Sequence, residues 1–245
     1  MTLRVRNLSK AYGGVQAVRD VSFRVEAGEL VAMIGPNGAG KTTCFNMLNG
    51  QLAPDSGEIL LGEASLAGLP PHRVWRKGVG RTFQVTATFG SMSVRENVQT
   101  ALLSHYRRLG SFLSSSGNLY LGEADALLER VGMREQAERP CAVLAYGDLK
   151  RVELAVALAS RPRLLLMDEP TAGMAPEERS AVMQLAASLA GSDRIAVLFT
   201  EHDMDAVFGH ASRVLVLHEG ALIAEGPPDE VRADRRVREV YLGDA

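Results

Sequence analysis

Apolar and polar residues alternate along Leu3 to Leu8 and again along Val21 to Val25. A period of two marks strands with one face in water, so both segments read as strands of an antiparallel sheet. Leu30-Val31-Ala32-Met33-Ile34, Leu164 to Met167 and Ile195 to Phe199 are instead continuous apolar runs. Such runs suit strands covered on both faces in a parallel sheet. The turn Pro54-Asp55-Ser56-Gly57 leads into a further short strand, Glu58 to Leu61. Helical patterns cover Thr43 to Leu48, Glu123 to Val131, Asp148 to Ser160, and Pro176 to about Ala190. Ser93-Val94-Arg95-Glu96 is a capping box, which predicts a helix from there through about His105. Gly110 to Leu121 is rich in Ser and Gly and reads as a flexible connection. The order predicts an α/β fold: a parallel-sheet core with an N-terminal antiparallel β subdomain and an inserted α-helical subdomain. We expect a single domain over 1–245, with its core in 1–84 and 161–245 and the helical part at about 85–160.

At 245 residues, 46% hydrophobic and 23% charged, the chain has the composition of an ordinary globular protein with a substantial core. A net charge of −2 and the lack of a dense basic run give no reason to expect nucleic acid as a partner. Arg232, Arg235, Arg236 and Arg238 are interleaved with acids and suit a solvated helix face. Cys44 and Cys141 form no metal-ligand spacing with the five histidines and suggest no disulfide framework, which fits a reducing cytoplasm. The N-terminus lacks a signal-peptide apolar core, and no apolar stretch approaches the ~18 residues that span a bilayer. Attachment to a membrane through a partner stays open.

The segment Gly35-Pro36-Asn37-Gly38-Ala39-Gly40-Lys41-Thr42 fits the phosphate-cradling pattern G-x-x-x-x-G-K-[ST], set between an apolar strand and the helix that Thr43 opens. Its glycines let backbone N–H groups turn toward phosphate oxygens without a Cβ in the way. The helix points the positive end of its dipole at the same spot. Lys41 then reaches the β- and γ-phosphates, and the Thr42 hydroxyl ligates Mg²⁺. Leu164 to Glu169 reads as the second half of a P-loop NTPase, with a RecA-like core. Asp168 emerges at a carboxyl strand end to hold Mg²⁺ through a water. Glu169 is placed to polarise an attacking water as general base, and Pro170 stops the strand.

With these motifs in this order, the chain resembles the ATP-binding subunit of an ATP-binding cassette (ABC) transporter over essentially its full length. The resemblance implies ATP and Mg²⁺ as cofactors and gives roles to further residues. Tyr12 stands where the family stacks an aromatic ring on adenine. Gln84, in Arg81-Thr82-Phe83-Gln84, matches the glutamine that joins core to helical subdomain and touches the magnesium and water site. His202, in Thr200-Glu201-His202-Asp203, matches the switch histidine at the γ-phosphate. The family signature, usually Leu-Ser-Gly-Gly-Gln, corresponds to Leu144-Ala145-Tyr146-Gly147-Asp148, which serves the nucleotide of the opposite subunit. Ala145 lacks the serine hydroxyl, whereas Gly147 and the following helix N-terminus remain. Ala172-Gly173-Met174-Ala175-Pro176 likewise ends in alanine where aspartate is commonest.

Gly80-Arg81-Thr82-Phe83-Gln84, the Leu-Ala-Tyr-Gly variant, Thr171 to Pro176 and the ending Tyr241-Leu242-Gly243-Asp244-Ala245 are similar to the branched-chain amino acid importer group. The resemblance implies an energy-coupling ATPase at the cytoplasmic face of the inner membrane. Its partners would be a second cassette, identical or different, transmembrane permease subunits and, indirectly, a solute-binding protein. Related importers for urea, amides or other amino acids are alternatives, as is a soluble regulatory ABC ATPase. A P-loop kinase is disfavoured, because the middle third carries the signature in place of an acceptor lid. His72, His105, His210 and His218 show no arrangement. Phe83, Phe89 and Met92 fit core and a partner-binding groove equally.

Overall fold

The computed structural model describes residues 2–82, 88–107 and 119–242. The chain opens with β1 (Leu3–Tyr12) and β2 (Val15–Val25), joined at a Gly13-Gly14 turn; both strands run longer than the alternating segments alone predict. With β4 (Ser56–Leu61) and β5 (Ala64–Ser65) they make an antiparallel sheet in the order β2-β1-β4-β5. The second sheet has six strands. It contains β3 (Leu30–Ile34), β6 (Val79–Thr82), β7 (Leu164–Asp168), β8 (Ala196–Thr200), β9 (Arg213–His218) and β10 (Ala221–Gly226), in the order β10-β9-β3-β8-β7-β6. All neighbours in it pair in parallel except β10 with β9. This is the α/β fold of the P-loop NTPases.

The continuous apolar runs are explained by what covers them. Leu30, Ala32 and Ile34 of β3 face one apolar cluster, and Val31 and Met33 face the other. Val197 and Phe199 against Ala196 and Leu198 split β8 in the same way. One cluster fills the space between the two sheets around α1 (Lys41–Leu48); the other lies under α3 (Val94–His105), α4 (Leu121–Arg130), α5 (Tyr146–Leu158) and α6 (Pro176–Asp193). Between β4 and β6 the chain adds α2 (Pro71–Arg76), and after β8 come α7 (Met204–His210), α8 (Pro228–Ala233) and α9 (Arg235–Leu242).

The strand β6 has no counterpart in the apolar pattern. Its four residues, Val79-Gly80-Arg81-Thr82, are too few and too polar to announce a strand, yet they complete the edge of the central sheet beside β7. Gly80 is there for space: a Cβ would come within 3.2 Å of the Ala157 carbonyl oxygen. Of the Ser/Gly-rich connection, 110–118 lie outside the described residues, and Leu121 already belongs to α4. Arg232, Arg235, Arg236 and Arg238 are exposed on α8 and α9. Among the described residues no helix is long and apolar enough to cross a membrane. Cys44 and Cys141 are buried free thiols, and burial pushes the Cys44 thiol up to about 12.

The capping box forms as read. Ser93 Oγ accepts from the Glu96 amide at 3.2 Å, and Glu96 Oε2 accepts from the Ser93 amide at 2.7 Å. Ser93→Ala removes one of these acceptors and is expected to cost about 1 kcal/mol. Chemical denaturation followed by circular dichroism checks this, and an unchanged midpoint would mean the cap contributes nothing.

Candidate functional site

The loop between β3 and α1 is shaped by contacts that exclude side chains. Gly35 has φ +158 and Gly40 has φ +102. A Cβ at Gly35 would stand 2.3 Å from the Leu217 carbonyl oxygen, and one at Gly40 would stand 2.4 Å from that of Ala17. The loop therefore lies flat against its neighbours and opens a cavity of about 310 Å³ lined by Ala17, the run Asn37 to Thr43, Glu169 and His202. Gly40 is the N-cap of α1 and offers no side-chain acceptor, so the first amides of that helix are left for an anion.

Lys41 is buried at the helix start. Its Nζ donates to the carbonyl oxygens of Gly35 at 2.5 Å and Pro36 at 3.1 Å. Burial pulls its ammonium below the usual lysine value, and the nearby carboxylates of Glu169 and Asp168 oppose that pull. Asp168 ends β7 and is held at both oxygens. Oδ1 accepts from Thr200 Oγ1 at 2.8 Å, and Oδ2 accepts from Arg81 Nη2 at 3.0 Å. Glu169 follows with φ +46, a left-handed backbone rarely kept by a residue with a side chain. Its amide donates to both the carbonyl and the hydroxyl oxygen of Thr200, each at 3.1 Å, and its Oε1 lies 3.0 Å from His202 Nε2. Buried Glu201 accepts from the amide and hydroxyl of Thr171, at 2.8 and 2.7 Å, and pins the turn after β8 to the turn after β7. Asp203 caps α7 through the Ala206 amide and pairs with Arg179. The Ala206 amide and the Arg179 cation hold its carboxyl below the usual aspartate range.

The structure thus brings Asn37 to Thr43, Glu169 and His202 around one cavity, with Gly35 and Pro36 tied in through Lys41 and Asp168 beside them. Tyr12 stands apart from the cavity lining, at the tip of the β1–β2 hairpin and 51% exposed. Leu144 to Asp148 also lie away from it: Ala145 is the N-cap of α5 and Tyr146, Gly147 and Asp148 form its first turn, two residues earlier than the helical pattern predicts. Ala145 gives no side-chain cap, and neither does Ala175 at the start of α6. Gln84 and Phe83 lie outside the described residues. Phe89 is 58% exposed, which rules out the core reading for it; buried Asn97 holds its backbone from both sides, accepting from its amide and donating to its carbonyl. Sequence reasoning missed Arg81, Thr200, Thr171 and Glu201 as site residues. The one signal available was that each adjoins a motif residue.

The donors available for a metal are the Thr42 hydroxyl and the Asp168 carboxylate, both hard oxygen ligands suited to Mg²⁺. Among the described residues no cluster of His, Cys, Asp or Glu could hold a metal by itself. A cation held by these two would need further oxygen ligands to complete its shell.

Known proteins place this geometry in context. Residues 18–172 match the family model described as ABC transporter, and residues 221–245 match that of the branched-chain amino acid ATP-binding cassette transporter. The chain is 39% identical to the high-affinity branched-chain amino acid transport ATP-binding protein LivG of Salmonella typhimurium, over 99% of this chain and 98% of that protein. BraF of Pseudomonas aeruginosa, which carries the same description, is also 39% identical over 99% and 98%. Among solved structures, the ADP conformation of MJ1267, an ATP-binding cassette of an ABC transporter, superposes with a TM-score of 0.87 at 29% identity and covers both chains completely.

Lys41→Met keeps the buried stem and removes the ammonium. Nucleoside triphosphate affinity is expected to fall at least tenfold, about 1.4 kcal/mol or more. Titration with a fluorescent nucleotide analogue checks it, and undiminished affinity would remove Lys41 from the site.

Proposed function

The chain belongs to the ABC transporter ATP-binding family, and from that premise we propose that it hydrolyses ATP to drive an importer of branched-chain or related amino acids. We read residues 1–245 as one ATP-binding domain. The observation that carries the hydrolytic reading is the contact between Glu169 and His202, facing the phosphate loop across one small cavity. In this reading the amides of Gly38 to Thr43 and the Lys41 ammonium bind the β- and γ-phosphates, with Tyr12 against the adenine. Thr42 and Asp168 would hold Mg²⁺, with Gln84 a further candidate for the same role, and the ion would supply charge neutralisation for the phosphate oxygens. Glu169 takes a proton from the attacking water, and His202 holds the Glu169 carboxylate in line while reaching the γ-phosphate. Lys41, left below the usual lysine value by burial, gains a partner when phosphate displaces its loop carbonyls.

Leu144 to Asp148 suit a nucleotide held by a second cassette, which their distance from this chain's own cavity supports. The uncapped amides at the start of α5 are the donors they would offer. Exposed Phe89 suits contact with a transmembrane permease, through which the chain would sit at the inner face of the membrane. The match at 221–245 and the likeness to LivG and BraF support a branched-chain amino acid as solute. The test is ATPase activity of the reconstituted transporter. Leucine- or valine-loaded binding protein should stimulate it and a urea-loaded one should not; the reverse result would move the chain to another importer group.

Glu169→Gln keeps the shape and loses the base. It should bind ATP normally and hydrolyse it about 10²–10⁴-fold more slowly, and its ATP-bound form should elute as a dimer in size-exclusion chromatography. Wild-type turnover in this variant would reassign the base. Ala145→Ser separates two effects of a hydroxyl at the α5 N-cap. Capping should raise the stability of the nucleotide-free protein by about 1 kcal/mol. A bond to a partner's phosphate should tighten ATP-dependent dimerisation roughly two- to tenfold. Denaturation midpoint and dimer dissociation constant read the two independently, and a stability gain without tighter dimers would mean that the signature hydroxyl position faces no phosphate.

A further inference from the structure

We propose that Arg81 is a positioning residue for hydrolysis: it ties the edge strand β6 to Asp168 and, through Thr200, to the backbone of Glu169. The proposal rests on the roles given above to Asp168 and Glu169.

Arg81 sits on β6, the edge strand whose last described residue, Thr82, precedes 83–87 and the approach to α3. Its side chain is only 11% exposed. One planar guanidinium holds three segments of the site. Nη2 donates to Asp168 Oδ2 at 3.0 Å; Nη1 donates to Asn46 Oδ1 at 3.1 Å and to Gln51 Oε1 at 3.0 Å. Asn46 lies on α1, the helix that Lys41 and Thr42 begin, and Gln51 lies just beyond it. A lysine ammonium lacks the rigid fork that makes such simultaneous bonds.

The chain of contacts does not stop at Asp168. The second oxygen of Asp168 takes the Thr200 hydroxyl, that hydroxyl oxygen takes the Glu169 amide, and the Glu169 carboxylate meets His202. Glu169 is in a left-handed conformation that persists only where its surroundings hold it. Thr200 holds its amide from two oxygens, and Thr200 is oriented by the same carboxylate that Arg81 orients. A shift at the end of β6 therefore reaches the general base through side chains, without passing through the nucleotide. This is the kind of contiguous packed network along which displacement is carried, and a misplacement of about 1 Å at a reacting group is costly.

A purely structural ion pair would affect stability alone, so the test separates the two. Arg81→Met and Arg81→Lys are compared with wild type for kcat, KM, thermal midpoint and nucleotide affinity in Mg²⁺ and in EDTA. For Arg81→Met, kcat is expected to fall at least about tenfold, with nucleotide affinity in EDTA within about threefold of wild type and Arg81→Lys intermediate. Thr200→Val should give a loss of its own. The double variant Arg81→Met/Thr200→Val should be no slower than the worse single, because both break one chain of contacts. Wild-type kcat in folded Arg81→Met, fully multiplicative losses in the double variant, or an affinity loss as large as the kcat loss would each overturn the proposal. If Arg81→Met does not fold, Arg81→Lys with Thr200→Val gives the same comparison. Glu169→Gln in the same assay distinguishes the premise: retained hydrolysis there would defeat the role of Glu169 whatever Arg81 does.

Discussion

Two carbonyl groups, those of Leu217 and Ala17, press so closely on the loop after β3 that positions 35 and 40 admit no Cβ. The rest of the site depends on this exclusion. The loop lies where it does because β9 and the β1–β2 hairpin layer back it from two sides, and it lies flat because it has glycine at those two points. A flat loop turns its amides outward and starts α1 with an unfilled N-terminus. Lys41, Thr42 and the cavity all follow from that geometry. The two sheets are therefore part of the cavity's wall as well as its support.

Around that loop the charges are arranged in compensation. Lys41 is buried at a cost, and two carboxylates reduce the cost without removing it. One of those carboxylates is shared with Arg81 and Thr200, the other with His202. Lys41, Arg81 and Asp168 each have more than one partner, so a change in any of them is felt by the others.

Much of this was legible in the chain. The phosphate loop, the paired acids after β7 and the capping box at Ser93 are local signals, each readable from a few adjacent residues because backbone conformation and short-range bonds set them. Continuous apolar runs located β3, β7 and β8 because both faces of those strands are covered. What escaped notice is non-local. The strand β6 exists because β7 offers an edge, not because Val79-Gly80-Arg81-Thr82 favours a strand. Thr200, Glu201 and Arg81 matter through partners thirty or more residues away, and beyond lying beside a motif residue nothing in their own neighbourhoods announces it. The sequence periodicity of α5 also began late, because Tyr146 and Gly147 do not look helical although the backbone already is.

The buried cysteines have a practical consequence. Burial pushes the Cys44 thiol up to about 12, which disfavours the reactive thiolate, and the same burial keeps reagents from its sulfur. Cys141 is also buried, with its thiol pushed up in the same direction. The native protein is thus close to silent toward thiol-selective dyes. A lone cysteine introduced at an exposed position would carry a spectroscopic label almost without background, which makes the unmodified chain a ready scaffold for measuring distances between its parts in solution.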